Sequence, residues 1–378
     1  MKVCIIGALP SSLINFRGQL IKSFINNGHD VIALASNATQ TEIKDIENLG
    51  VKYIDYPVKR NQLSVLSDLK TLLSFRKIFK HEKPDVILAY TIKPVVWGGI
   101  AARFIPKAKF YGLITGLGFA FQRNTFKRYI LSKLVTFLYR FSLSRAAKII
   151  FQNPDNLQVF VDNKIVARDK TIRVHGSGVD LTHYEKCEPT SSQFTFLTIA
   201  RLLGEKGLRE YAAAAKIVKQ KNSDVTFNIL GPEDPSPDGI PLTEIKRWHN
   251  ANDIQYLGNT DDVRPYIKAC NIFVLPSYHE GMPRTVLEAM SVGRPILTTN
   301  VPGCRETVIE GENGFLVEKE NITQLADKMQ WFIENKAQWQ VMANKSRQMA
   351  EEVFDVHKVN KQLLAVMHLN RNIEAKDD

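Results

Sequence analysis

The chain has 378 residues, about two to three times an ordinary single domain, so two domains are expected. With 44% hydrophobic and 24% charged residues and average Gly and Pro, the composition excludes collagen-like, disordered and coiled-coil chains. The net charge of +11 is concentrated: between Asp85 and Asp155 there is no acidic residue and there are eleven Lys or Arg. Charge so one-sided points to an anionic partner: a membrane surface, nucleic acid or a phosphorylated substrate.

Apolar strands alternate with amphipathic helices, the pattern of parallel α/β sheets. Strands are expected at 3–6, 31–34, 52–56, 86–88, 109–112 and 148–151, with a helix over 17–27 that Gly28 stops. Residues 3–9 read as a first strand and not as a signal peptide. The series restarts at 194–199, with a helix at 208–220 and strands at 226–230, 254–257, 272–275 and 295–298. A polar connection at 182–193 separates the two series. The expected division is therefore residues 1–180, residues 181–355, and a C-terminal helix in 356–378 that returns to the first domain. Ligands of such doubly wound sheets bind beyond the carboxyl ends of the strands, and two such domains facing each other leave a cleft. The apolar stretches at 94–102 and 110–122 are too short to cross a bilayer. Cys4, Cys187, Cys270 and Cys304 are widely spaced and form no C-x-x-C pair, which argues against a disulfide scaffold or structural zinc and for a reducing, cytoplasmic setting.

The densest motif runs from Asn271 to Met290. A buried strand ends at Pro276, Glu280 sits in a short polar loop, Gly281 lets the backbone turn, and Pro283 suits the first turn of a helix. The first amides of that helix lack intrahelical acceptors and lie at the positive end of its dipole, which makes an anion site. Glu288 falls about a turn and a half inside the helix, so Glu280 and Glu288 reach different parts of one long ligand, as hydroxyl acceptors. Taken singly, Glu280 is equally a helix cap and Glu288 a solvated charge.

Glu280-x7-Glu288 after Phe273-Val274-Leu275-Pro276-Ser277-Tyr278 resembles the retaining glycosyltransferases of family 4, which have the GT-B fold of two facing Rossmann-like domains. Gly178-Val179-Asp180, Ala200-Arg201-Leu202 through Lys206-Gly207, Gly303-Cys304-Arg305-Glu306 and Gly311-Glu312-Asn313-Gly314 add to the resemblance in order. It implies that Arg201 and Lys206 hold the diphosphate of a nucleotide sugar, with Gly204 and Gly207 bringing backbone close to the ligand. Glu280 and the amides of Gly281 and Met282 would orient the transferred sugar. Glu288 would bind the ribose, with Pro283 in the same helix start. Gly231, in the loop 231–241, and Leu257-Gly258 would lie near the base. A guanidinium fork beside an ammonium neutralises a leaving diphosphate without a metal. No Asp-x-Asp triplet is present, and Asp261-Asp262 read as a helix cap. No essential metal or other cofactor is expected. Gly7-Ala8-Leu9-Pro10 lacks G-x-G-x-x-G, which disfavours a dehydrogenase.

The first domain resembles the subgroup that extends saccharides linked to polyprenyl diphosphate in bacterial glycan assembly. The resemblance rests on Asn15-Phe16-Arg17, Tyr90-Thr91-Ile92-Lys93-Pro94 and Thr115-Gly116-Leu117-Gly118-Phe119. It implies that Arg17 and Lys93 meet the acceptor diphosphate and that Gly116 and Gly118 let backbone approach it. Helical spacing over 126–141 puts Phe126, Ile130, Leu134, Phe137, Leu138 and Phe141 on one face and Arg128, Ser132, Lys133, Thr136 and Arg140 mainly on the other. The basic segment 123–148 is thus expected to lie on the inner face of the cytoplasmic membrane, unless its apolar face simply packs on the sheet. No nucleic-acid module appears. The expected activity is transfer of a hexose-type sugar from a UDP-sugar to a polyprenyl-diphosphate-linked saccharide. The alternatives are a nucleotide-sugar 2-epimerase of the same fold, or a non-catalytic subunit that binds sugar nucleotide at the membrane.

Overall fold

The computed structural model describes residues 1–59, 64–117, 126–189 and 193–371. The chain forms two compact units, Met1–Ser177 with the stretch from His357 onward, and Gly178–Val356.

In the first unit the chain runs β1 (Lys2–Ile6), α1 (Pro10–Asn26), β2 (Asp30–Ala35), α2 (Gln40–Glu47), β3 (Lys52–Asp55), α3 (Val65–Glu82), β4 (Val86–Tyr90), α4 (Ile92–Ala102), β5 (Lys109–Ile114), α5 (Phe126–Leu143), β6 (Lys148–Phe151), α6 (Pro154–Asp162) and β7 (Thr171–Arg173). The strands pair in parallel in the order β3-β2-β1-β4-β5-β6-β7. A parallel sheet covered on both faces needs strands apolar throughout, and Val3, Cys4, Ile5 and Ile6 are all fully buried. Alternate β1 residues feed two cores. Cys4 and Ile6 meet Phe75 and Phe79 of α3, Val95 of α4 and Tyr139 of α5, while Val3 and Ile5 meet Leu20 of α1 and Ile46 of α2.

In the second unit the order is β8 (Thr195–Ile199), α7 (Leu208–Lys219), β9 (Thr226–Leu230), α8 (Leu242–Asn250), β10 (Gln255–Tyr256), α9 (Arg264–Ala269), β11 (Ile272–Leu275), α10 (Arg284–Val292), β12 (Ile296–Thr299), β13 (Gly314–Val317), α11 (Ile322–Glu334) and α12 (Trp339–Val353). Its parallel sheet runs β10-β9-β8-β11-β12-β13. A last helix, α13 (Val356–Met367), places Val359, Leu363 and Leu364 in the first unit's core beside Leu20 and Phe24.

Several elements differ from the sequence reading. Helix α1 starts at Pro10, a full two turns before residue 17, because a proline tolerates the first helical positions. Strands β7 and β13 are short edge strands at opposite sheets' ends, and β13 opens on Gly314, where a Cβ would lie 1.8 Å from the Ile296 oxygen. Helix α10 starts at Arg284, with Pro283 as its cap residue, so Glu288 lies one turn inside it.

The strand order reverses between β1 and β4 in the first sheet and between β8 and β11 in the second. Loops leaving the carboxyl ends of such neighbours diverge, and ligands of doubly wound sheets occupy the opening. The loops after β8 and β11 contain most of the residues singled out in the second half of the sequence.

Candidate active site

The loop after β8 and the loop after β11 are fastened together by main chain. Tyr278 donates its amide to the Glu205 oxygen at 2.8 Å. Gly207 heads α7 with φ +69°, and a Cβ there would lie 2.0 Å from the Pro276 oxygen. A Cβ on Gly204 would meet Asp238 Oδ1 at 2.7 Å. Both glycines therefore serve close packing within the protein, a reason different from the ligand approach expected for them.

This fastening brings Lys206 to Glu280: Lys206 Nζ donates to Glu280 Oε1 at 2.6 Å, and Ser277 Oγ donates to the same oxygen at 2.9 Å. Burial pulls the lysine's pKa down, but the Glu280 carboxylate outweighs it and holds the ammonium above its ordinary value. A third side supports the cluster. Gly303, with φ +86°, sits against Glu280 so tightly that a Cβ would be 2.5 Å from the Glu280 oxygen. Glu306 accepts the Gly303 amide at 2.7 Å, so the Gly303–Glu306 motif buttresses the loop of Glu280.

Arg201 donates through Nη1 to Asp234 Oδ2, while its side chain stays 54% exposed. Burial pushes the Asp234 carboxyl up, yet the Ser236 hydroxyl and amide and Arg201 together hold it below the usual carboxylate range. Asp238, in the same loop, accepts the Glu205 amide at 2.8 Å. Loop 231–241 is thus tied to the loop after β8. At its root, Gly231 donates its amide to the Gly258 oxygen at 2.8 Å, and a Cβ on Gly231 would lie 1.9 Å from the Ala200 oxygen. Gly258, next to Leu257, has φ +79°, with nothing within 4 Å of a Cβ. The ends of β8, β9 and β10 converge there.

Glu288 is buried on α10 and accepts from Arg284 Nε at 2.8 Å. Burial pushes its carboxyl above the ordinary value, and Arg284 offsets part of that rise. Gly281, Met282 and Pro283 form the turn that leads from Glu280 into α10. His279 Nε2 stands 3.2 Å from Glu205 Oε2; each shifts the other toward its charged form, His279 upward and Glu205 downward.

Sequence reasoning missed Ser277, Asp234, Arg284 and the His279–Glu205 pair as parts of the site. The Arg284–Glu288 pair was legible as an i,i+4 spacing. Asp234 was not, since a loop thirty-odd residues away brings it to Arg201. Asp262 is committed to Arg264, which it grips through two 2.8 Å bonds, and its carboxyl is held down to about 2 chiefly by them. Among the described residues no group of three or more His, Cys, Asp or Glu is placed to hold a metal ion.

The first unit's candidates gather at the end of β4. Arg17 lies in the middle of α1, not at a helix start, and is only 2% exposed. Its guanidinium lies over the Tyr90 ring, 5.0 Å from the centroid, and donates to Ser177 Oγ at 3.3 Å. Lys93, in the first turn of α4, donates to Asp68 Oδ1 at 2.7 Å. Between them Thr91 heads α4 with φ +67° and ψ 158°, a region kept almost wholly by glycine; its hydroxyl is buried without a hydrogen-bond partner among the described residues. Gly116, just past β5, has open space around it. Gly118 and residues 123–125 lie outside the described residues.

Two family models cover most of the chain: Glycosyl transferase 4-like over residues 2–153, and Glycosyl transferases group 1 over residues 183–351. The chain is a glycosyltransferase of GT-B fold. The transferase is 27% identical over 349 residues to the N,N'-diacetylbacillosaminyl-diphospho-undecaprenol α-1,3-N-acetylgalactosaminyltransferase of Campylobacter jejuni, covering 89% of this chain and 90% of that protein. It is 29% identical to the UDP-Gal:α-D-GlcNAc-diphosphoundecaprenol α-1,3-galactosyltransferase of Escherichia coli, over 72% of each chain. Among solved structures, Anabaena HepE in complex with UDP and glucose superposes with a TM-score of 0.79 at 18% identity, covering 97% of the transferase and 99% of HepE.

Proposed function

We propose that this transferase moves a hexose-type sugar from a UDP-sugar to a saccharide carried on a polyprenyl diphosphate, with retention at the anomeric carbon and without a metal. The observation that carries the reading is the Lys206–Glu280–Ser277 cluster, set where the strand order of the second sheet reverses. Both related transferases act, by their names, on sugars joined to diphospho-undecaprenol and make α-1,3 linkages, and one takes UDP-galactose.

In this mechanism the exposed guanidinium of Arg201, anchored by Asp234, and the ammonium of Lys206 receive the diphosphate. The first amides of α10 add the positive end of its dipole. As the bond from the anomeric carbon to the phosphate oxygen breaks, these groups take up the charge developing on that oxygen. Glu280, fixed by Lys206, Ser277 and Gly303, faces hydroxyls of the transferred sugar. Glu288, steadied by Arg284, accepts from the ribose. The acceptor hydroxyl attacks from the face the leaving group departs, and its proton passes to the leaving phosphate oxygen. Arg17 and Lys93 at the end of β4 and Gly116 past the end of β5 serve the acceptor, and the basic outer surface of the first unit keeps the enzyme at the inner face of the cytoplasmic membrane. Among the described residues no helix is long and apolar enough to cross a bilayer.

The test is incubation with a panel of UDP-sugars and short polyprenyl-diphosphate saccharides in chelator, read by mass spectrometry. UDP release and a longer lipid-linked glycan only when acceptor is present support the reading. An isomerised UDP-sugar without acceptor points to an epimerase and overturns it.

A further inference from the structure

The second unit holds a cavity of about 160 Å³ at the amino ends of its strands, away from the sugar-transfer chemistry. Asn271 and Pro295, which immediately precede β11 and β12, line it together with Lys186, Arg294 and Lys336. The loop of Glu280 leaves the opposite, carboxyl end of β11. The length of that strand therefore separates the cavity from the proposed diphosphate site.

The floor of the cavity carries a buried charge. Arg294 is 1% exposed and donates to the oxygens of Ile267 at 2.9 Å, Cys187 at 2.9 Å, Lys268 at 3.1 Å and Gly293 at 3.2 Å. These carbonyls, three of them at the C-terminal ends of α9 and α10, fasten the guanidinium in place, but none is a counter-ion. Buried charges are ordinarily paired, because an unneutralised one is costly away from water. Asn271, also buried, accepts the Thr195 amide at 2.8 Å through Oδ1, and its Nδ2 has no partner among the described residues.

The rim adds two exposed cations. Lys186 lays its stem across Gly293, where a Cβ would lie 3.4 Å from Cγ, and its Nζ donates to Asn344 Oδ1 at 2.6 Å. Lys336 stands 6.0 Å from the centroid of the Trp339 ring. Among the described residues neither lysine nor Arg294 is paired with a carboxylate. The lining holds one acid, Glu188, which meets the side-chain amide of Gln340 at 2.9 Å. Three cations against one carboxylate leave an excess of two positive charges.

We propose that this cavity binds a phosphate group, as free phosphate or a small phosphate monoester. Lys186, Lys336 and the Asn271 amide hold it, and Arg294 supplies a fixed positive potential beneath. A phosphate carries close to two negative charges at neutral pH and so matches the excess, whereas a monocarboxylate neutralises half of it. Ammonium groups bind phosphate as point charges, and an amide Nδ2 donates to one of its oxygens. The volume lies below the roughly 300 Å³ at which pockets for larger organic ligands begin. The cavity is thus no second site for a nucleotide sugar.

The test is calorimetric titration of the full chain with inorganic phosphate and with glycerol 3-phosphate at constant ionic strength. Three variants accompany it. Lys186→Met with Lys336→Met removes the two exposed charges; Asn271→Asp keeps the acceptor for Thr195 and puts a negative charge in place of the amide; Lys206→Met disables the proposed diphosphate site. Saturable binding that survives Lys206→Met and weakens by about tenfold or more in the other two supports the proposal. Equal affinity for both probes then assigns free phosphate, and tighter binding of the ester assigns a monoester. Cys187 reports the location: it lines the cavity and is half-buried, while Cys4, Cys270 and Cys304 are buried. Bound phosphate should slow its alkylation by iodoacetamide, and the lysine pair should abolish that protection. The pair should melt with the wild type in the absence of phosphate, so it decides the matter even where Asn271→Asp does not fold. Absence of saturable binding, binding lost in Lys206→Met, or binding unaltered in the lysine pair would each overturn the proposal.

Discussion

Lys206 and Glu280 form a 2.6 Å ion pair although 74 residues separate them, and both side chains are largely withdrawn from solvent. Neither residue is positioned by its own loop alone. Gly207 against Pro276, the Tyr278 amide on Glu205, and Gly303 against Glu280 set the pair from three directions.

Removing either partner should therefore damage catalysis more than it damages the fold. Lys206→Met is expected to lower kcat by about 10²-fold or more, the usual size for a lost group that stabilises transition-state charge. Glu280→Gln should lower kcat with smaller effect on UDP affinity. Steady-state kinetics beside calorimetric UDP binding separates the two; equal losses in both variants and both assays would contradict the division of roles.

Gly303 tests the buttress. Gly303→Ala must place a side chain at φ +86° and 2.5 Å from the Glu280 oxygen, so the loop has to move. Beyond the roughly 1–2 kcal/mol cost of a left-handed alanine, turnover should fall. A melting temperature and kcat both unchanged would show that Glu280 is held some other way.

Glu288 and Arg284 predict a specificity effect. The wild type should bind UDP more tightly than 2′-deoxy-UDP. Glu288→Gln and Arg284→Ala should each erase most of that preference, because a buried carboxyl stripped of Arg284 is driven further toward its neutral form. Preference retained in both variants would place the ribose elsewhere.

How much of this was legible in the sequence differs by feature. The alternation of apolar strands and helices, and the Glu280-to-Glu288 motif, were visible because buried parallel strands and a strand–turn–helix leave strong local patterns. The short edge strands β7 and β13 were not, since three or four residues carry no period. The sequence left two orientations open for α5, apolar face outward or packed on the sheet; in the structure Ser132, Val135, Tyr139 and Ser142 are buried while Ile130, Leu134 and Phe137 stand exposed, a choice set by close packing against α4 that no local pattern records. Asp68 and Asp234 were invisible as partners of Lys93 and Arg201, because such pairings belong to tertiary structure.

The His279–Glu205 pair gives a pH dependence with a definite sign. The His279 pKa is raised by Glu205, so the imidazolium persists above the ordinary histidine value, and its contribution fades as pH rises through that raised value. On the acid side the pair is lost as pH falls through the lowered Glu205 value. The donor KM should rise at the alkaline edge, and His279→Gln should flatten that edge. An identical profile in the variant would remove His279 from the donor loop's support.

Thr91 bears on the acceptor side. Its backbone strain, of about 1–3 kcal/mol, should be relieved in Thr91→Gly, so the variant should melt no lower than the wild type. If the strained turn positions Lys93 for the acceptor, the acceptor KM should rise while UDP affinity holds. A loss of stability instead would show that the threonine's packing matters more than its φ.

The most direct measurement is calorimetric titration of UDP into the full chain in excess chelator, repeated with Arg201→Ala and Lys206→Met. Binding in chelator that drops at least tenfold in each variant is the predicted result. Binding that appears only when a divalent cation is added, or that ignores both substitutions, would contradict a diphosphate site built from these two cations.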